Sequence, residues 1–362
     1  MTNIPELVRR TRPDIVIFSH WPSVQIEKKL DLPTVLDLHG PHMLEREFQR
    51  FGDRMSNAQH KVAALRKADF FVCAGQKQRL YFLAWLMAAG IPTEALDIAV
   101  VPVCVSPQLP SHEWLDGEPT FVYGGVFLPW QDPSVGLRAL LRSMEKHRYG
   151  RLRVFGGRHP TLPEDVNGIE SYRTLEASLR NNARVEFVGF VSHEQLVEEY
   201  CRAHVALDVM VHNLERELAF TTRTVEYLWC GLPVIHQDYS ELSLMISRYE
   251  AGWVVDPANE TQVEAAIEEV LTCPQEARQR GENAQQLVRE LLVWDKAIEP
   301  LNAFCHSPRQ INPLPMPVWS LNTRSIPALL REVRRNFRRQ GLRAVVYYGM
   351  RYVKNQWRFL KG

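Results

Sequence analysis

Arg223 and Glu226 stand three residues apart in ERELAFTTRTVEYLWCGLPVIHQDYSELSLMISRYEAGWVVDP, the stretch from Glu215 to Pro257. On a helix that spacing brings a guanidinium and a carboxylate to one face. A planar guanidinium matches phosphate oxygens with two parallel hydrogen bonds, and a carboxylate accepts from sugar or ribose hydroxyls. The same pair also reads as a surface salt bridge, which is worth only about 0.3–0.5 kcal/mol. Thr222 and Thr224 share the segment. Glu215 and Glu217 precede it, and one of them is placed to add a carboxylate while the other reads as solvent-facing charge. Cys230-Gly231 ends the helical pattern and Pro233 forbids its continuation. Val234-Ile235 then reads as a short, buried, parallel strand.

Two expected strands end in paired glycines, Gly124-Gly125 in FVYGGVFLPWQDP and Gly156-Gly157 in LRVFGGRHP. Glycine after a strand lets backbone approach a ligand, and a following helix N-terminus attracts phosphate. Tight-turn geometry is the plainer explanation of either pair. Neither is GxGxxG, so the usual NAD fingerprint is absent. Arg158 follows the second pair as a further phosphate contact. Trp130 either stacks on a base or fills core. His20 and His39 each follow a strand. His39, in LDLHGPH beside Asp37, is placed to hydrogen-bond a sugar or exchange protons near neutral pH, or else packs as a structural histidine. Asp37, His39 and His42 lie close in sequence, but Pro41 breaks helical geometry and no fourth ligand follows, so no metal site is expected.

These residues need elements to hold them. Strands are expected at Asp14–Phe18, Pro33–Leu38, Ala68–Ala74 and Ile98–Val105, with helices at Pro5–Thr11, Met43–Lys67 and Lys77–Ala89. After a linker around Pro107 and Pro110, strands are expected at Thr120–Tyr123, Leu152–Phe155, Val185–Val188 and Val205–Val209. The helices between and after them are Val135–Lys146, His193–Cys201, Thr261–Thr272 and Gln275–Leu292. Such alternation means parallel sheets. We therefore expect an α/β protein of two Rossmann-like doubly wound domains facing a cleft. The domains are residues 1–110, residues 111–290, a C-terminal helix over 291–306 packing back on the body, and a Pro-rich linker with a basic tail over 307–362.

The chain has 362 residues, 45% hydrophobic and 23% charged, which suits a globular protein of about two domains. No run reaches the roughly 20 apolar residues of a membrane span, and the first residues lack a signal-peptide apolar core. The six cysteines are scattered, with no CxxC pair, and read as reduced. The net charge of +1 hides a split. Residues 323–362 hold eleven Arg and Lys against one Glu, a net +10, leaving −9 on residues 1–322. Within residues 324–361, Leu329, Leu330, Val333 and Phe337 form one helical apolar stripe and Val346, Met350, Val353, Trp357 and Leu360 another, each flanked by arginines. This pattern fits an anionic membrane surface. Docking onto the acidic body or onto another protein is the alternative. Nucleic acid is not expected, because no recognition module accompanies the charge.

The order His39-Gly40, Gly124-Gly125, Thr222-Arg223, Glu226-Tyr227-Leu228, Gly231-Leu232-Pro233-Val234-Ile235, Glu241 and Gly252 resembles the retaining GT-B glycosyltransferases, in particular the family 4-like group. The resemblance covers roughly residues 10–305. It implies a nucleoside-diphosphate-sugar donor held by the second domain, a glycan or lipid-linked acceptor on the first, retention of configuration, no metal and no further cofactor. By it Glu226 meets the donor ribose, Gly124 and Gly125 lie near the diphosphate, and His39 contacts the donor sugar. The family glutamate about eight residues before Glu226 falls on Leu218, so Glu217 or Glu215 serves instead, or neither does. Gln131 stands where a lysine is expected, and Arg223, with Arg158, supplies the missing charge. The first domain is shorter than the family's. The expected protein is a cytoplasmic glycosyltransferase, peripheral on the inner face of the cytoplasmic membrane, in surface polysaccharide or glycoconjugate synthesis. A non-catalytic glycosyltransferase-like scaffold subunit is the rival expectation.

Overall fold

The computed structural model describes residues 3–50, 52–159 and 170–314. Residues up to Leu314 form one compact unit. The amphipathic patterns of residues 324–361 lie outside the described residues.

The first sheet is all parallel, in the order β1 (Val16–Phe18), β2 (Thr34–Asp37), β3 (Phe70–Cys73), β4 (Ile98–Val100). α1 (Ile4–Thr11) leads into it, and α2 (His42–Phe48), α3 (Arg54–Leu65) and α4 (Gln76–Ala88) connect the strands. Leu36, Phe71 and Ile98 of the sheet pack with Leu65, Phe82 and Leu86 of these helices in one core. Burial of such side chains contributes about 1.5–3 kcal/mol each. The opposite face, Val35 and Val72, is covered by Phe304, whose ring stacks on Phe70 at 4.3 Å.

The second sheet contains β5 (Thr120–Phe127), β6 (Arg151–Arg158), β7 (Val185–Gly189), β8 (Val205–Asp208), β9 (Val234–Gln237) and β10 (Gly252–Val255). Its order is β10-β9-β8-β5-β6-β7, all parallel. The chain winds outward from β5 through β6 to β7, then returns to β8 and winds the other way. The crevice at the carboxyl ends of β5 and β8 is therefore the topological switch point, where open α/β sheets bind ligands. Helices α5 (Ser134–His147), α6 (Glu170–Arg180), α7 (His193–Tyr200), α8 (Leu214–Leu218), α9 (Thr222–Trp229), α10 (Glu241–Tyr249), α11 (Glu260–Thr272) and α12 (Pro274–Leu287) join or flank these strands. Their starts follow local chemistry. Ser192 forms a capping box with Gln195 at α7, and the Ser240 hydroxyl accepts from Ser243 N–H at α10. After a π turn at Val288–Leu292 come α13 (Trp294–Ala297) and α14 (Glu299–His306), which carries Phe304 back onto the first sheet.

Several elements differ from expectation. The helix expected over Met43–Lys67 is two helices, because Arg50 and Gly52 both have positive φ. The glycine pairs do not follow their strands but lie inside them, with Gly125 opposite Gly156. Lacking Cβ atoms, they let the two backbones and the side chains beneath approach closely. β4 stops at Val100, where a strand to Val105 was expected. β10 and α10 are elements beyond those expected.

A candidate donor-binding crevice

Asp208 ends β8 and is fully buried beside β5. Its Oδ2 accepts from the Thr224 hydroxyl at 2.5 Å and lies 3.3 Å from His236 Nδ1, while Oδ1 is 3.4 Å from Arg223 Nε. Burial alone pushes this carboxyl up. The Arg223 guanidinium and then the His236 ring and Thr224 hydroxyl outweigh it, holding the group below the usual carboxylate range. Asp208 thus fixes the stem of Arg223, the second residue of α9. Arg223 reaches β5, where Nη1 donates to the Gly124 carbonyl at 2.7 Å and Nη2 to Gln131 Oε1 at 2.5 Å. Only 13% of the side chain is exposed. Gly124 N–H donates to Tyr227 Oη at 2.8 Å, and a Cβ on Gly125, at φ +124°, would come within 2.7 Å of Arg223 Nη1. Both glycines are thus required by close approach rather than by a turn. A Cβ on Gly124 would overlap Tyr200 Oη and lie 3.0 Å from Tyr227 Oη. Gly124→Ala is expected to destabilise the protein by about 1–3 kcal/mol, read as a lowered urea midpoint with unchanged slope.

One turn along α9, Glu226 is paired with His193 Nε2 at 2.5 Å, at the start of α7, and keeps partial exposure. Thr222 is exposed at the N-terminus of α9. Glu217 lies 3.1 Å from His212 and 3.5 Å from Lys77 of α4, so it joins the second sheet's lobe to the first. Hydrogen bonding from His212 lowers its pKa, with Lys77 adding to the effect. Glu215 is buried and grips Arg216 through both oxygens, at 2.5 and 2.7 Å. Burial raises its carboxyl despite that partner. Trp130 is buried, 6.3 Å from the Phe48 ring across the lobes. Arg158 pairs with Glu176 on α6 at 3.3 Å.

His39 sits after β2 in a left-handed conformation, φ +52°, with its N–H donating to Asp37 Oδ1 at 3.1 Å and its ring 3.3 Å from Oδ2. The Asp37 hydrogen bond raises its pKa against the effect of burial, and Glu45 adds a smaller push. Glu45 also acts on Glu215, so the histidine side and the Glu215 side both face α2. His39 stacks on His20 at 5.2 Å, and His20 lies 4.5 Å from the His42 ring. Burial, then the charges of His42 and His39, push His20 down to about 3. A histidine kept neutral in the fold but protonated below about pH 6.5 when unfolded costs stability as pH falls from there toward 3. In His20→Asn, which can still cap Trp21 N–H, urea midpoints are expected to fall less over pH 6.5 to 4 than in the parent.

The lobes also meet through Glu241 at the start of α10. Its carboxylate accepts from Gln76 N–H at 2.7 Å and Lys77 N–H at 3.1 Å, capping α4 of the other lobe. Lys77 Nζ donates to Tyr239 O at 2.6 Å. Lys77, Asp208, His193 and the Glu241 cap were missed by sequence reasoning. Only Asp208, a carboxylate ending an apolar run, carried a local hint.

The family pattern described as Glycosyl transferases group 1 matches residues 107–287, half of the chain. The chain belongs to the group 1 glycosyltransferases. Solved structures agree on fold. Sucrose-phosphate synthase from Thermosynechococcus elongatus is 21% identical, with a TM-score of 0.64, over 84% of this chain and 75% of that one. HepE from Anabaena, in complex with UDP and glucose, is 14% identical with a TM-score of 0.62 over 84% and 81%. TarM from S. aureus, a G117R mutant in complex with Fondaparinux, alpha-GlcNAc-glycerol and UDP, is 14% identical with a TM-score of 0.59 over 83% and 57%. No curated protein matches the sequence. The fold of this glycosyltransferase is GT-B, with two parallel α/β sheets. Its matched segment contains the crevice built by Gly124, Gly125, Asp208, Arg223 and Glu226.

Proposed function

We propose that this glycosyltransferase moves a sugar from a nucleoside-diphosphate sugar to a glycan or lipid-linked acceptor, with retention of configuration and without a metal or further cofactor. The observation that carries the reading is Arg223, held by Asp208, Gln131 and Gly124 at the switch point of the second sheet. Three contacts fix the guanidinium beside the place where charge grows on a departing diphosphate. Glu226, one turn away, takes ribose hydroxyls once His193 yields. Glu217, tied to Lys77, meets donor-sugar hydroxyls, and His39 contacts the sugar from the first lobe. Glu215 and Trp130 shape the crevice wall rather than touch the donor. HepE crystallised with UDP and glucose, and TarM with UDP, which supports a UDP-sugar as the first donor to try. The basic tail holds the enzyme peripherally at an anionic inner membrane face, in the cytoplasm, where it serves surface polysaccharide or glycoconjugate synthesis.

The test is donor hydrolysis and transfer by the purified chain across a panel of nucleoside-diphosphate sugars. Glu226→Ala is expected to raise donor KM about tenfold, the worth of one charge-assisted hydrogen bond, with little change in kcat. Unchanged kinetics in both Glu226→Ala and Arg223→Ala would end the proposal. A scaffold subunit is the second reading, favoured by Leu218 at the family glutamate position. Calorimetry decides it, since a scaffold need not bind a nucleotide sugar at all.

A further inference from the structure

Asp208 and His236 are register partners on the adjacent strands β8 and β9, so their side chains leave the sheet on one face. His236 is fully buried. A buried imidazole costs free energy unless polar groups face its nitrogens. Nδ1 lies 3.3 Å from Asp208 Oδ2, and Nε2 lies 2.7 Å from Ser240 Oγ and 3.1 Å from Gln237 Nε2. Gln237 sets the tautomer. Its Oε1 accepts from Met210 N–H at 3.1 Å, so its amide nitrogen faces the ring and can only donate. Nε2 is therefore an acceptor, and the ring proton sits on Nδ1, on the side of the Asp208 carboxylate.

Asp208, His236 and Ser240 have the connectivity of a nucleophilic triad. Burial rules that use out. Ser240 is 3% exposed, and its hydroxyl oxygen already accepts from Ser243 N–H at 3.1 Å as the cap of α10. The working end of the row is the carboxylate. Thr224 and His236 both approach Oδ2, at 2.5 and 3.3 Å, which leaves Oδ1 to Arg223 Nε at 3.4 Å. Ser240 holds the ring from the other side, and its own place is fixed by the first turn of α10. Without the ring the carboxylate is free to turn, and the guanidinium turns with it.

We propose that His236 is a positioning residue for sugar transfer, which aims Asp208 and through it the Arg223 guanidinium. It touches neither donor nor acceptor. Its effect on turnover rests on the reading of Arg223 as the donor arginine, while its hold on Arg223 does not. An arginine aimed before the donor arrives stabilises a departing diphosphate without reorganisation. Loosening it therefore lowers kcat and leaves donor KM nearly unchanged. The two conservative amides separate the two ends of the ring. Asparagine puts an amide N–H where Nδ1 stood and keeps the Asp208 contact. Glutamine reaches Ser240 in place of Nε2 and leaves Asp208 without its neighbour.

The experiment is nuclear magnetic resonance of the full chain with nitrogen-labelled histidine and arginine, in the parent, His236→Asn and His236→Gln. The His236 signals, identified by their loss in both variants, are expected to show the proton on Nδ1 and a bare Nε2. The Arg223 Nε–H is identified by its loss in Arg223→Lys. It is expected to exchange with solvent at similar rates in the parent and His236→Asn, and at least about tenfold faster in His236→Gln. Urea unfolding gauges the stability of each variant. In hydrolysis of UDP-sugars, kcat of His236→Gln is expected to fall at least about tenfold with donor KM within about twofold, while His236→Asn retains most of the parent's turnover. A proton on Nε2 overturns the inference, as does parent-like Arg223 Nε–H exchange in His236→Gln. Equal loss of kcat in the two variants overturns it too, because a merely structural ring would give that result. A parent that turns over no donor ends the reading of Arg223 as the donor arginine, and the two resonance results then decide by themselves whether His236 aims it.

Discussion

Arg223→Ala is expected to lower turnover about 100- to 1,000-fold, the usual cost of removing one preorganised donor from a developing anion. The argument is geometric. Asp208, Gln131 and the Gly124 carbonyl hold the guanidinium before substrate arrives, so little reorganisation is needed when the sugar–phosphate bond breaks. The alanine variant also strands Asp208, so stability and activity fall together. Arg223→Lys separates the two. The ammonium keeps a charge for Asp208 but cannot fork to Gly124 and Gln131. Its melting temperature is expected near the parent's, while kcat stays well below it. Parent-like kcat in the lysine variant would show that charge alone, and not the planar fork, is what the site requires.

Asp208→Ala is expected to cost about 3–5 kcal/mol of folding stability, because it leaves a buried cation without its partner. Thr224 loses its acceptor at the same time. The pH dependence gives an independent check. The folded pKa of Asp208 is depressed, so its contribution is complete above the unfolded carboxylate value of about 3.9. It is lost as pH falls from there through the lower folded value. Asp208→Asn keeps the shape and removes this term. Its unfolding free energy is expected to lie below the parent's at neutral pH and to converge on it in acid. Parallel curves for the two proteins would mean that Asp208 is not charged in the fold.

Glu241 and Lys77 tie the start of α4 to the second lobe.

The sequence by itself determined the alternation of strands and helices, the parallel sheets, the helix and strand within Glu215–Pro257, and the charge split between body and tail. Each follows from local periodicity, turn residues or composition, which operate over a few residues. Arg223 and Glu226 were legible for that reason, since one helical turn joins them. The tertiary structure decided what surrounds them. Asp208 meets Arg223 from another strand, Lys77 meets Glu217 across 140 residues of chain, and Glu241 caps a helix 165 residues earlier. Nothing in a local pattern encodes such pairs. Asp208 meets Arg223 because α9 starts beside the carboxyl end of β8, and the other two pairs form because α4 of the first lobe packs against the second lobe. The tertiary structure likewise decided that buried Glu215 grips Arg216 and that Arg158 pairs with Glu176.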